Sequence, residues 1–154
     1  MSYKTINGTS AVDDISTYDL NKAYPGYNGF EVYGFSGDDT LESSFIGMTG
    51  VDLIDGGDGD DFMSFSAPYL TPLPTITNYA LYSGGFGADE LYVPLLGSET
   101  YSNFRLDDGF IKFSVYGDYG EEAVVTVSPT VETISLGDLN YLTEDIINGR
   151  IRTV

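Results

Sequence analysis

The sequence predicts an all-β domain assembled from a short turn-and-strand unit that recurs through its first two thirds. Three observations carry this. Gly56-Gly57-Asp58-Gly59-Asp60-Asp61-Phe62-Met63-Ser64 follows the pattern G-G-x-G-x-D-x-U-x, with U a large apolar residue, and Gly84-Gly85-Phe86-Gly87-Ala88-Asp89-Glu90-Leu91-Tyr92 repeats it in full. Glycine is abundant, at 19 of 154 residues, and many of these glycines fall in such copies. In the last third, Ile111, Phe113 and Val115 alternate with Lys112 and Ser114, the period-two signature of a half-buried strand.

Taken in order, the first copies are weak. Residues 8–15 carry Ala11 at the fourth position; residues 26–33 carry Glu31 at the sixth and are one residue short. Residues 34–42 lack only the second glycine, where Phe35 stands, and residues 47–55 lack the same glycine and abut Gly56. In each copy the first six residues make a turn whose glycines permit positive φ and close backbone approach. The next three make a strand whose central side chain points inward. That places Ile15, Leu41, Ile54, Met63 and Leu91 in the core.

One unit is half a coil, so the turns alternate between two edges. Gly8, Gly34, Gly56 and Gly84 share one edge at spacings of 26, 22 and 28 residues, and Gly26 and Gly47 take the other. Each spacing exceeds the ~18 residues of two nine-residue units, so every coil holds an insertion. The largest spans 65–83 and contains Pro68, Pro72 and Pro74.

The tail predicts different elements. Asp107-Asp108-Gly109 marks a hairpin between a strand at 103–106 and the strand around Phe113. Strands follow over 122–128 and 132–136, split by Ser128-Pro129. Thr143-Glu144-Asp145 opens a short capped helix that Asn148-Gly149 ends. A stack of repeats exposes an apolar end and needs a cap, so residues 1–97 read as the repeat body and 98–154 as its antiparallel capping region.

Charge narrows the function. Acidic residues number 24 and basic residues 6, for a formal charge of −18, and no Lys or Arg lies between residues 23 and 104. Binding to a nucleic-acid backbone needs a cationic face, so nucleic acid is excluded as a partner. An anionic leaflet is excluded for the same reason, and no apolar run is long enough to insert in a membrane. His and Cys are absent, which removes the usual ligands of zinc, iron–sulfur and haem sites and the Ser-His-Asp and Cys-His catalytic arrangements. No pair of carboxylates stands apart from the repeat pattern as a hydrolytic pair, and an enzyme is not expected. The remaining hard-oxygen ligands suit Ca²⁺ or Mg²⁺. An EF-hand does not fit: counted from Asp58, the sixth position is Met63 and the twelfth Tyr69.

At the residues of the repeat the chain resembles the RTX (repeats-in-toxin, haemolysin-type) family of calcium-binding nonapeptide proteins. The resemblance covers roughly residues 8–93. It implies a parallel β-roll, here with insertions, that folds on binding two or more Ca²⁺ ions. It implies metal ligands at Asp39, Asp61 and Asp89 on one edge, with Asp13 as a weaker neighbour. Glu31 and Asp52 are the candidates on the other edge. Turn positions Ser36, Gly37, Gly57, Gly59, Gly85 and Gly87 would serve beside them. The functional expectation is a non-catalytic extracellular structural or adhesive module, secreted without a Sec leader. The alternative is a calcium-stabilised subunit of a virion, surface layer or filament. A second copy of the chain, an assembly partner and a surface glycan are further candidate partners, the last through Tyr24, Tyr27, Tyr69, Tyr79 and Tyr82.

Overall fold

The computed structural model of the chain describes residues 2–44, 51–66, 77–95, 100–116 and 122–150. In chain order the elements are β1 (Tyr3–Asn7), β2 (Asp14–Ser16), α1 (Thr17–Ala23), β3 (Gly29–Ser36), β4 (Thr40–Ser44), β5 (Val51–Asp58), β6 (Phe62–Ser66) and β7 (Thr77–Phe86). Then come β8 (Glu90–Val93), β9 (Thr100–Tyr101), β10 (Arg105–Asp107), β11 (Phe110–Tyr116), β12 (Glu122–Val127), β13 (Thr133–Leu136), β14 (Leu139–Leu142) and α2 (Thr143–Ile147).

The strands form two mixed sheets. One runs β1-β3-β5-β7-β12-β11-β10, with β9 also paired to β11; the other runs β14-β13-β8-β6-β4-β2. Odd strands from β1 to β7 build the first sheet and even strands from β2 to β8 the second, all parallel to their neighbours. Strands β12 and β13 then join in parallel, after which β11, β10, β9 and β14 are antiparallel.

This corrects the expected curled parallel β-roll. The two sheets are of mixed topology and do not close or curl into a roll. Both strand directions enter each sheet: β7 and β8 take parallel partners in β12 and β13, and these take antiparallel ones in β11 and β14, the chain reversing at Asp108 and Gly109, with φ of 51° and 83°, and at Gly137, with φ of 57°. Positive φ at both central residues, as at Asp108-Gly109, is one of the two favoured geometries of a two-residue hairpin, and positive φ at the first alone, as at Gly137, is the other. A short helix at the C-terminal side is present as α2, but Leu142 at its N-cap makes no side-chain cap bond. The sequence reading placed no helix at α1, where the Ser16 side chain accepts from Tyr18 N–H and supplies the cap.

The core lies between the sheets and is made of residues in register. Ile6, Val32, Ile54 and Tyr82 form one row across the first sheet. Ile15, Leu41, Met63, Leu91 and Ile134 form the facing row across the second. Leu41, Ile54, Met63, Tyr82, Leu91 and Ile134 are fully buried, each stabilising the fold by about 1.5–3 kcal/mol on transfer from water. The sequence offsets along these rows carry the 26, 22 and 28 residue spacings of the repeat. Residues 47–50, most of the 65–83 insertion including Tyr69, and residues 151–154 lie outside the described residues.

Candidate functional site

The turns that follow β3, β5 and β7 line up along one edge of the stack. Their aspartates form a ladder one strand spacing apart, about 4.8 Å. Asp13 N–H donates to Asp39 Oδ1 at 2.7 Å, Asp39 N–H to Asp61 Oδ1 at 2.9 Å, and Asp61 N–H to Asp89 Oδ1 at 2.9 Å. Asp89 N–H donates in turn to Glu132 Oε2 at 2.8 Å, which ends the ladder. The opposite oxygens, Oδ2 of Asp39, Asp61 and Asp89, are buried and lack a hydrogen-bond partner. They sit over Gly34, Gly56 and Gly84, where any Cβ would collide with them. This is why the first glycine of each copy is required: it leaves room for the carboxyl five residues on.

Burial raises the carboxyl pKa at all three positions, and accepted backbone N–H bonds oppose it. Asp89 is raised to about 6, with the charges of Asp61, Glu132 and Asp60 adding to the burial effect. A second, exposed file runs beside the first: Asp60 N–H donates to Asp38 Oδ1 at 3.0 Å and Ala88 N–H to Asp60 Oδ1 at 2.9 Å.

The other expected ligands are separately engaged. Asp13 Oδ2 accepts from the hydroxyl of Thr9 at 3.0 Å and from its N–H at 2.5 Å. Glu31 Oε2 accepts from Thr5 Oγ1 at 2.9 Å. Asp52 is buried and accepts from Phe30 N–H, Thr17 Oγ1 and Ser43 Oγ at 3.0, 3.1 and 2.8 Å. It ties α1 to the two sheets and does not meet Glu31 in a shared cage. Ser36 pairs in register with Asp58, and Phe35 with Gly57, which pairs with Gly85. Gly37 N–H donates to Asp58 O and Gly59 N–H to Phe86 O, both at 2.8 Å, while Gly87 packs against the Gly59 carbonyl. These turn positions serve as rungs between coils.

Among the described residues no group of three or more His, Cys, Asp or Glu is placed to hold a metal ion. The aspartates are strung out along an edge, each bound to its neighbour's backbone, and do not converge on a common centre. No protein-family model matches the chain, and no curated protein matches it. The RTX resemblance is therefore not upheld. Calcium is withdrawn as cofactor and partner, and with it the calcium-folded adhesive module and the calcium-stabilised assembly subunit. No helix among the described residues is long and apolar enough to cross a membrane.

The tyrosines expected at a glycan surface are scattered. Tyr82 is buried in the core with its hydroxyl donating to Ser64 O at 3.2 Å. The ammonium of Lys4 lies 4.3 Å from the ring of Tyr24 and 5.8 Å from that of Tyr27. Tyr79 stays exposed.

Two features of this edge escaped the sequence reading. Glu132 completes the ladder, and its signal is the match of Glu132-Thr133-Ile134-Ser135 to Asp89-Glu90-Leu91-Tyr92, an acid followed by x-U-x. The second is Phe35. It stands where the complete copies carry Gly57 and Gly85 and adopts the same left-handed backbone, with φ of 78° against 104° and 105°. Its ring is 53% exposed, and Phe86, two turns along the same edge, is 80% exposed.

Proposed function

We propose that the protein is a non-catalytic interaction module that engages a partner protein through this turn edge. The observation that supports the reading is Phe35. A bulky residue at positive φ carries backbone strain of about 1–3 kcal/mol, and about half of the residue is exposed to water. The ring meets Tyr33, with centroids 6.5 Å apart, and takes no part in the buried core or the ladder. Strain retained at an exposed aromatic is the pattern of a binding position, and Phe86 supplies a second ring on the same edge. The coil-to-coil hydrogen bonds hold both turns rigid, which lowers the ordering cost of binding. A location outside the cell, or on the surface of a particle, is part of the same proposal.

The test is a double variant, Phe35→Gly with Phe86→Ser, compared with the original chain in extracts of its source. Chemical crosslinking of the original chain should give one discrete product. The double variant should keep its fold and lose the complex. A double variant that retains the same complex refutes the reading.

A further inference from the structure

We infer that the outer face of the first sheet holds a second binding site, a groove for a small organic cation with an aromatic body. This site is independent of the turn edge. Strands β5, β7, β12 and β11 lie side by side in this sheet, and with the turn between β10 and β11 they border an open groove of about 420 Å³, within the range of small-ligand pockets. Leu81, Tyr79 and Phe110 are among its apolar lining. Both rings are exposed, at 48% and 36%. An aromatic body placed there gains apolar contact that water does not supply.

The polar end of the groove selects the charge. Lys112 Nζ is bound to Asp107 Oδ2 at 2.6 Å, so the one cation in the lining is already paired. Among the described residues Asp107 Oδ1 and both oxygens of Asp108 make no hydrogen bond or ion pair and remain as acceptors. Arg105 stands near Asp107 and adds to the lowering of its pKa, but it is not among the lining residues. The lining thus carries two carboxylates against one ammonium, which Asp107 already pairs, beside the neutral hydroxyls of Tyr79 and Thr126, on a chain of formal charge −18. An anion is repelled, a neutral body gains only its apolar contact, and an ammonium group gains a charge-assisted bond to Asp108.

Three indole probes of similar shape test this: tryptamine, 3-methylindole and indole-3-propionate, titrated into the ¹⁵N-labelled protein and followed by backbone amide shifts. Tryptamine should move the amides of Tyr79, Leu81, Asp108 and Phe110. It should bind about fivefold more tightly than 3-methylindole, as expected for one partly screened charge contact, and indole-3-propionate should be weakest. Asp108→Asn keeps the turn, because Asn tolerates positive φ. It should bring tryptamine down to the affinity of 3-methylindole. Leu81→Ser should weaken all three probes. The inference is overturned if no probe shifts these amides, if the shifts map elsewhere, or if the three probes bind alike.

Discussion

Replacing Asp89 with Asn should stabilise the protein at pH 7.5, although Asp89 is a buried residue, the last aspartate of the ladder on the turn edge. Its Oδ1 accepts from Asp61 N–H, and an amide oxygen keeps that bond. Its Oδ2 is buried without a partner and crowds the same space over Gly84 as the Thr130 carbonyl. An amide N–H placed there turns two crowded acceptors into a donor and an acceptor. The magnitude follows from titration. The carboxyl pKa rises from 3.8 unfolded to about 6 folded, mainly through burial, which corresponds to a penalty on the order of 2–3 kcal/mol for the ionised form. A carboxyl with a raised folded pKa takes up protons preferentially in the folded state. Stability from this group is therefore fully present below about pH 4, falls as pH rises to about 6, and stays low above that. Asn removes the penalty, so Asp89→Asn should gain about 2 kcal/mol at pH 7.5 and almost nothing at pH 4. At about 2–4 °C per kcal/mol for a chain of this size, that is a rise in Tm of about 4–8 °C. Asp89→Ala loses the acceptor for Asp61 N–H and should forfeit much of the gain. Thermal unfolding of the three proteins between pH 4 and 8 decides the matter. A loss of stability in Asp89→Asn at pH 7.5, or a flat pH profile for the original chain, would refute the account of the ladder as metal-free buried carboxyls.

Three further outcomes follow from the same geometry. Phe35→Gly should raise stability by about 1 kcal/mol in urea unfolding, because glycine relieves the positive φ at the cost of a half-exposed ring and some chain entropy. Gly56→Ala should lower it by about 2 kcal/mol, since the new Cβ would overlap the Asp61 carboxyl and the turn has no slack; a neutral result would mean that Asp61 lies elsewhere. Glu132→Ala should cost about 1 kcal/mol by removing the acceptor for Asp89 N–H, whereas Glu132→Gln, which keeps an acceptor, should be close to neutral.

The repeat was legible because its residues have fixed physical jobs. Gly34, Gly56 and Gly84 leave space for a carboxyl, and Leu41, Met63 and Leu91 fill one row of the core. Helix α1 was not legible, although Ser16 is a good cap, because the seven residues it spans are too few to show a helical period. The pairing of β12 with β7 and of β13 with β8 was not legible either. Parallel pairing across a long sequence gap leaves no local turn signal, unlike the Asp108-Gly109 hairpin.

The error over calcium has a specific physical origin. An acid five residues after a glycine satisfies two demands equally well. It can point an oxygen at a bound ion, or it can accept the N–H of the next coil and tie the stack together. Both need the same small residue beneath the carboxyl and the same inward strand after it, so the spacing alone does not separate them. What separates them is the fate of the oxygens. Asp52 shows this most plainly: an aspartate in a repeat copy, it is held by three donors from three different elements, and it fastens α1 to the sheets. Glu132 shows it from the other end, because a glutamate from outside the repeats takes the next place in the ladder through one oxygen and a backbone N–H. A position that accepts either acid, and that works from within or outside the repeat, is selected for bonding to the neighbouring strand.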